Sequence, residues 1–444
     1  MRESLMRVFV AGYDVMGKNM AGPGMRSFAI ARFLSNHADV TLSCDESSGI
    51  ESLSDKLNCV QDSDVLWDST DYWSKYDVAI MAASQNLKVN LPDKFPVPLI
   101  VDIYDPYILE NLELHSALKP SIRDYEYLRH LKALLEMLLM GDCFIVTNGR
   151  TRDFFTGMMA SWGIINPITA SGNKVNEYFL NIPFGIPDEP FNTVSEFSVG
   201  EIPDQIIESD YLILWAGGLW DWLDPLSLIE SMPLIQKSCP NAKLLFMGYK
   251  HPNRHVPVMD MAMKCIDKAK KLKIYNSSVI FRDWTPFEER IPLLKRANLG
   301  VSLHKDHLET RYSFRTRLMD YIWAGIPMVI SGGDFLSEEL SKSGVAKIVP
   351  ENDVDLIADI ISGVLRESKP GSIDEKTEQG FESLRHQYRW DTVLTPLSER
   401  LKNIQKIDKD NYGIKFKELL MNFPVPRPPG IIEKGMEKIK KGLR

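Results

Sequence analysis

Five cysteines in 444 residues, with no Cys-x-x-Cys pair and no zinc-type Cys/His spacing, leave nothing from which to build a disulfide framework or a structural zinc site. A reduced, cytoplasmic setting is expected. Positive charge is scarce as well: 52 Lys and Arg against 60 Asp and Glu give a net charge of −8. Nucleic-acid binding is driven by phosphate neutralisation, so the chain makes a poor general nucleic-acid binder, local basic patches aside, and no nucleic-acid partner is expected. Long apolar runs are missing too. The stretch Leu131–Met140 is interrupted by Lys132 and Glu136 and falls far short of the ~20 residues that span a bilayer. The N-terminus reads as no signal sequence, because Arg7 runs straight into the short strand-like stretch Val8–Gly12. Glycine and proline are scattered, and no 20–50-residue repeat is visible, which excludes collagen-like and solenoid chains. What is left is a globular, enzyme-like chain about three modal domains long.

Short β-rich runs alternate with longer helical patterns, the signature of parallel α/β sheets. The first half offers strands at Arg7–Ala11, Val40–Ser43, Val78–Met81, Leu99–Asp102 and Phe144–Thr147, with helices at Gly24–Leu34 and Ile122–Leu139. The second half offers Tyr211–Trp215, Lys243–Met247, Val279–Phe281, Gly300–Leu303, Met328–Ile330 and Ala346–Val349, with helices between them. A Pro-rich stretch from about Pro183 to Pro203 separates two doubly wound units. A long helical pattern, Lys376–Ile404, follows, and Pro396 is expected to break it near Trp390-Asp391.

In doubly wound sheets ligands sit beyond the C-terminal ends of the strands, so polar residues just after strands are the candidates. Ala21-Gly-Pro-Gly-Met-Arg26 opens a helix; its glycines admit a phosphate or sugar, and a helix N-terminus favours an anion. It is not a GxGxxG dinucleotide fingerprint, and a plain Gly-Pro turn is the competing reading. Asp102-Ile-Tyr-Asp-Pro106 brings carboxylates to a strand end, where they can bind sugar hydroxyls or take an acceptor proton. Asp105 reads equally well as a helix cap, which makes Asp102 the stronger catalytic candidate.

Trp215-Ala-Gly-Gly-Leu-Trp-Asp-Trp-Leu-Asp-Pro225 leads a strand into Gly217 and Gly218, whose N–H groups suit a diphosphate. Packing is the more natural use for at least one of Trp220 and Trp222. The segment His304–Arg317 sets Arg311, Arg315 and Arg317 close to a helix start, a strong anion site. A solvated face is the alternative there, weakened by the apolar flanks. His304 and His307 have no metal-triad spacing and read as satisfied or solvated histidines.

Together, several stretches resemble the GT-B glycosyltransferases: the Gly-rich helix start, Pro183-Phe-Gly185, Trp215-Ala-Gly-Gly-Leu219, Phe281-Arg-Asp-Trp-Thr-Pro286 and Arg317-Leu-Met-Asp-Tyr-Ile-Trp-Ala-Gly-Ile-Pro-Met-Val-Ile330. They are most similar to the bacterial family-four-like enzymes of cell-surface polysaccharide synthesis. The resemblance covers most of residues 7–400 and is strongest over 211–334. It implies two facing Rossmann-like domains, an acceptor domain at 1–190 and a nucleotide-sugar donor domain at 205–375. It also implies a crossover helix at 376–404 returning to the first domain, with a basic tail at 405–444. No cofactor beyond the nucleoside-diphosphate sugar is implied, and no metal, because basic side chains and helix dipoles stabilise the leaving diphosphate.

Carried over by position, Gly22 and Gly24 fall near the donor diphosphate and Gly217 and Gly218 in the second domain's phosphate turn. Asp320 stands where the second Glu of the family's Glu-x7-Glu motif binds the donor ribose. Departures are visible. Tyr312 occupies the first Glu position, with Glu309 nearby, and Asp221 and Asp224-Pro225 replace the usual basic residues after the glycine turn. Arg311, Arg315 and Arg317 are expected to substitute for these, with Arg282 a weaker candidate.

The expected protein is a hexosyltransferase, retaining and metal-independent, that moves a sugar to a saccharide or lipid-linked acceptor in surface polysaccharide or glycan synthesis. Two alternatives stand beside it: an epimerase or phosphorylase of the same fold, and a non-catalytic partner subunit suggested by the altered Glu motif. In the tail, Lys434, Lys438, Lys440, Lys441 and Arg444 face Glu433 and Glu437, with apolar residues at near-helical spacing. Peripheral contact with an anionic inner membrane leaflet is one reading. A solvated end after Pro428-Pro429 is the favoured one.

Overall fold

Residues 5–407 are described by the computed structural model, apart from 46–47, 50–52, 54–56, 168, 171–174, 176, 197–199, 254–255, 257 and 368–372, together with residue 422. The basic tail expected at 405–444 therefore lies, from residue 408 on and Asn422 apart, outside the described residues.

Thirteen strands among these form two sheets. The first contains β1 (Arg7–Ala11), β2 (Asp39–Cys44), β3 (Asn58–Gln61), β4 (Val78–Ala82), β5 (Leu99–Asp102), β6 (Cys143–Val146) and β7 (Phe179–Asn181). The second contains β8 (Tyr211–Trp215), β9 (Ala242–Phe246), β10 (Val279–Phe281), β11 (Leu299–Ser302), β12 (Met328–Ser331) and β13 (Ala346–Val349). Their orders are β3-β2-β1-β4-β5-β6-β7 and β10-β9-β8-β11-β12-β13, and all neighbours pair parallel. Helices cover both faces, so the central strands are buried throughout and read as unbroken apolar runs such as Leu99-Ile-Val101. Sequence patterning does not anticipate β3 and β7. Both are short edge strands, and β3 is half exposed with polar ends, so neither carries that apolar signal.

Helix Gly22–Leu34 begins two residues earlier than its periodicity suggests, with Pro23 in the first turn where its missing N–H costs nothing. The final helical pattern is two helices, Glu375–Tyr388 and Trp390–Leu401. The break lies close to the expected place but has a different cause, because Pro396 sits inside the second helix. Arg389 is extended (φ −58°, ψ 142°) where the chain between the sheets runs alongside it. There the Ile186 N–H donates to the Tyr388 carbonyl (2.7 Å), and the Trp390 N–H donates to the Ile186 carbonyl (3.1 Å). The first of the two helices packs on Leu318–Ala324 beside the second sheet; the other packs on Gly22–Leu34 and β7. The C-terminal segment thus crosses back to the first half.

One hydrophobic cluster runs through both halves by way of Phe184, Ile186 and Phe191. Phe191 meets Trp323 edge-on at 5.0 Å, and Phe184 packs on Trp390 at 5.1 Å. Gly185 has no room for a side chain: a Cβ there would lie 2.4 Å from the Trp390 ring. Gly185→Ala is therefore expected to lower unfolding stability by about 1–3 kcal/mol through overpacking, read as a shift in the urea midpoint. An unchanged midpoint would show that the linker does not clamp Trp390.

Candidate functional site

Strand order reverses between β1 and β4 in the first sheet and between β8 and β11 in the second. Loops leaving those four strands diverge, which opens a crevice in each sheet at its carboxyl edge. The two crevices face each other and merge into one cleft of about 400 Å³. Its walls include Tyr13 after β1, Ser84 after β4, Gly217 after β8 and His304 after β11. Contacts between the halves flank it: Asn253 donates to Asp14 (2.8 Å), and Arg150 pairs with Glu338 (2.6 Å).

The glycines divide. Gly22 lines the cleft and faces the second half, with its missing Cβ 3.4 Å from Thr316 Oγ1. Gly24 does not line it; a Cβ there would lie 2.4 Å from the Val15 carbonyl, so this glycine serves close packing of the preceding loop. Gly217 and Gly218 line the cleft, and Gly217 has φ +91°, a conformation that favours glycine.

The arginines divide as well. Arg311 is exposed, lies over the Tyr312 ring and does not line the cleft. Its helix, Leu308–Tyr312, turns it outward while bringing Glu309 and Thr310 inward. Arg282 also lies elsewhere, reaching the Glu201 carbonyl and Glu289. Arg315 lines the cleft, but its guanidinium is committed to Asp334 (2.7 Å, both side chains 0% exposed) and to the Ser331 and Gly332 carbonyls. Arg317 is different. It stands over the Trp215 ring at 5.2 Å beside Gly217, and its buried Nη1 has no hydrogen-bond partner. Burial, reinforced by neighbouring Arg315, pushes its pKa down to about 10, still charged at neutral pH.

Asp102 lines the cleft without being free to act there. Its Oδ2 accepts from Arg26 Nε (2.6 Å), and its Oδ1 accepts from Arg26 Nη2 (3.1 Å) and the Tyr104 N–H (3.3 Å). It is half of a buried bidentate ion pair, not an exposed base. Asp320 lines the cleft and pairs with Arg290 (3.4 Å), and burial raises its carboxyl despite that arginine. Trp220 and Trp222 stack on one another (5.2 Å, 14°), with Trp222 buried. Tyr312, at the family's first Glu position, packs on Phe154 of the first half at 5.1 Å.

Three cleft carboxyls depart most from ordinary behaviour, and sequence reasoning had assigned only Glu309 to the site. Asp105 and Glu110 hydrogen-bond to each other; burial raises both, and repulsion by Asp105 carries Glu110 well above the usual carboxylate range. Glu309, from the other half, is 5% exposed, and burial followed by repulsion from Asp105 pushes its carboxyl up to about 8. No signal in the sequence links residues 105, 110 and 309.

The histidines separate. His307 caps helix Leu308–Tyr312, with Nδ1 accepting from the Thr310 N–H (3.3 Å) and Nε2 facing the Trp222 carbonyl (3.1 Å). His304 is 5% exposed with neither ring nitrogen partnered; burial and then Arg315 and Arg317 hold it neutral. That orphaned imidazole is a site feature the spacing did not disclose. Among the described residues no group of three or more His, Cys, Asp or Glu is placed to hold a metal ion, and no helix is long and apolar enough to cross a membrane.

No protein-family model matches this chain, and no curated protein matches it. Solved structures do. HepE from Anabaena, in complex with UDP, superposes with a TM-score of 0.56 at 13% identity, covering 90% of this chain and 100% of its own. WaaG, a glycosyltransferase involved in lipopolysaccharide biosynthesis, gives 0.56 at 14% identity with the same coverage of each chain. Sucrose-phosphate synthase from Thermosynechococcus elongatus gives 0.58 at 13%, covering 89% of this chain and 98% of its own. This chain has the GT-B fold. At such identities the likeness is one of architecture: two facing sheets and a returning C-terminal helix, with the cleft of the GT-B arrangement between them.

Two outcomes follow for this GT-B cleft. Asp102→Asn leaves Arg26 charged and unpaired in the interior, with an expected loss of about 3–5 kcal/mol of stability. Adding Arg26→Met should recover part of that loss in urea unfolding. If Asp102→Asn folds as stably as wild type yet is inactive, Asp102 is a catalytic base after all. Glu309 tests the pH dependence. Its folded pKa is raised, so its contribution is full below about pH 4.5, the unfolded value, and is lost as pH rises through about 8. The wild-type melting temperature should fall from pH 5 to pH 9 more steeply than that of Glu309→Gln.

Proposed function

We propose that this protein is a glycosyltransferase that takes a sugar from a nucleoside-diphosphate donor and passes it to a saccharide or lipid-linked acceptor. The observation that carries this reading is the pairing of the Gly217-Gly218 turn with Arg317, a half-buried cleft arginine whose buried Nη1 has no partner. A diphosphate supplies what that group lacks, since charge-assisted hydrogen bonds to phosphate satisfy a guanidinium fully. The fold neighbours support the choice of ligand: HepE was solved with UDP and glucose, and an E. coli protein titled trehalose-6-phosphate with UDP-2-fluoro glucose.

In this reading residues 205–375 hold the donor and residues 1–190 the acceptor. Arg317 and the glycine turn stabilise negative charge as the nucleoside diphosphate leaves, while Asp320 and Arg290 bound the ribose end. Arg315 holds the loop through Asp334 and does not itself bind phosphate. Asp102 is a positioning residue that acts through Arg26. Gly22 keeps the opposite wall low. Transfer with retention and without a metal, in surface polysaccharide or glycan synthesis, is the proposed chemistry, and the basic tail is the proposed place of any contact with a membrane surface.

UDP titration tests the donor site. Arg317→Ala should weaken binding by about 1.5–3 kcal/mol, while Arg311→Ala leaves it as in wild type. UDP release from nucleotide sugars should require an acceptor and continue in EDTA. Equal binding by Arg317→Ala and wild type would remove the diphosphate assignment.

A further inference from the structure

The cleft carries three carboxyls, drawn from both halves, that neither a neutral sugar nor a diphosphate would hold in their charged form. We propose that one of its substrates bears an amino group, and that Asp105, Glu110 and Glu309 enclose that ammonium. This rests on the glycosyltransferase reading and narrows its substrate class.

Asp105 and Glu110 form one wall, on the loop after β5 and the helix Tyr107–Leu114. No Lys or Arg forms an ion pair with either carboxyl among the described residues; each has the other as its partner. Glu309 comes from the opposite half, on the helix Leu308–Tyr312 that packs against Tyr107–Leu114, and it lines the same cleft as Asp105 and Glu110. Its Oε2 is buried and hydrogen-bonded to nothing. The Ser313 hydroxyl hydrogen-bonds to the Glu309 carboxyl; His307 Nδ1 lies 3.8 Å from Oε2, but that nitrogen already accepts from the Thr310 N–H, so it offers Glu309 a lone pair and no proton.

Among the described residues the protein's own cations do not fill the gap. Arg315 is turned to Asp334, and Arg317 makes no ion pair with Glu309. Lys88 bonds the Tyr13 carbonyl and lies over the Tyr13 ring (4.2 Å), under the influence of Asp14 rather than Asp105 or Glu110. Tyr107 also lines the cleft, and unlike Tyr13 and Tyr104, which lie against Lys88 and Arg26, it has no Lys or Arg over its ring among the described residues. Aromatic faces beside carboxylates attract an organic cation and give nothing to an anion. A bare metal ion is not indicated, because no three such groups among the described residues are placed to hold one. Sugar hydroxyls can bond to carboxylates but cannot offset their charge; a protonated amine does both.

The ammonium can arrive on the donor or on the acceptor, and the test separates these. UDP affinity is measured first by calorimetry and reports only on the nucleotide reading. One arm then compares UDP-glucosamine with UDP-glucose. The second compares glucosamine with glucose as ligands, with and without UDP present, so the answer does not depend on nucleotide binding. The amine should bind roughly tenfold or more tightly than its hydroxyl counterpart in at least one arm, as charge-assisted bonds imply. Glu309→Gln and Glu110→Gln should each erase most of that preference. The glutamine variants replace carboxyls that burial already disfavours, so they are expected to fold, and melting curves check it. Equal binding of amine and hydroxyl sugars by the wild-type protein in both arms overturns the proposal, whatever UDP does.

Discussion

A single buried guanidinium ties together three parts of the molecule that must agree for the cleft to exist. Arg26 is 1% exposed on helix Gly22–Leu34, whose N-terminus forms part of the cleft wall. It grips the end of β5 through Asp102 and donates to the carbonyls of Ile182 and Pro183, where the chain leaves the first sheet for the second. Tyr104 lies over its plane at 4.9 Å. Desolvating such a charge is costly, and only this full set of partners makes it tolerable. Helix start, strand end and linker are thereby held in one relation, and the position of the second half is set by the chain that leaves from there.

The second half repeats the device with other atoms. Arg315 pairs with Asp334 and caps two carbonyls at the end of β12, which fixes the loop carrying Glu309 and Arg317. Tyr321 donates to the Leu214 carbonyl (2.7 Å) and accepts from the Ala216 N–H (2.8 Å), anchoring the strand that delivers Gly217. Gly300 makes room for that ring, since a Cβ there would lie 2.6 Å from it. Multiply partnered polar groups of this kind rigidify the floor of the site. Arg317 Nη1, Glu309 Oε2 and the His304 imidazole, which have no hydrogen-bond partner, belong to residues that line the cleft.

Across the cleft the two halves set carboxyls against each other, Glu309 against Asp105 and Glu110, and burial raises all three. Attraction between the halves comes from apolar packing along Phe184, Phe191, Trp323 and Trp390 and from the polar contacts that flank the cleft, Asn253 to Asp14 and Arg150 to Glu338.

Much of this was legible in the sequence because it depends on local pattern. Parallel strands buried on both faces must be apolar runs, so β5 and β8 could be bounded correctly from local pattern, as could β1 and the edge strands β10 and β13, and the glycine turn after β8 follows from its own residues. Short-range chemistry does not say which way a side chain on a brief helix will turn. Arg311, Arg315 and Arg317 look equivalent in the sequence, yet the geometry of Leu308–Tyr312 points the first to solvent, an aspartate nineteen residues on pairs with the second, and the third lines the cleft with no ion pair among the described residues. Likewise Asp102 reads as a free carboxylate until Arg26, 76 positions away, is seen to occupy it. The carboxyls of Asp105, Glu110 and Glu309 meet only when two sheets face each other, because a charge's environment is set by what packs against it and not by its neighbours along the chain.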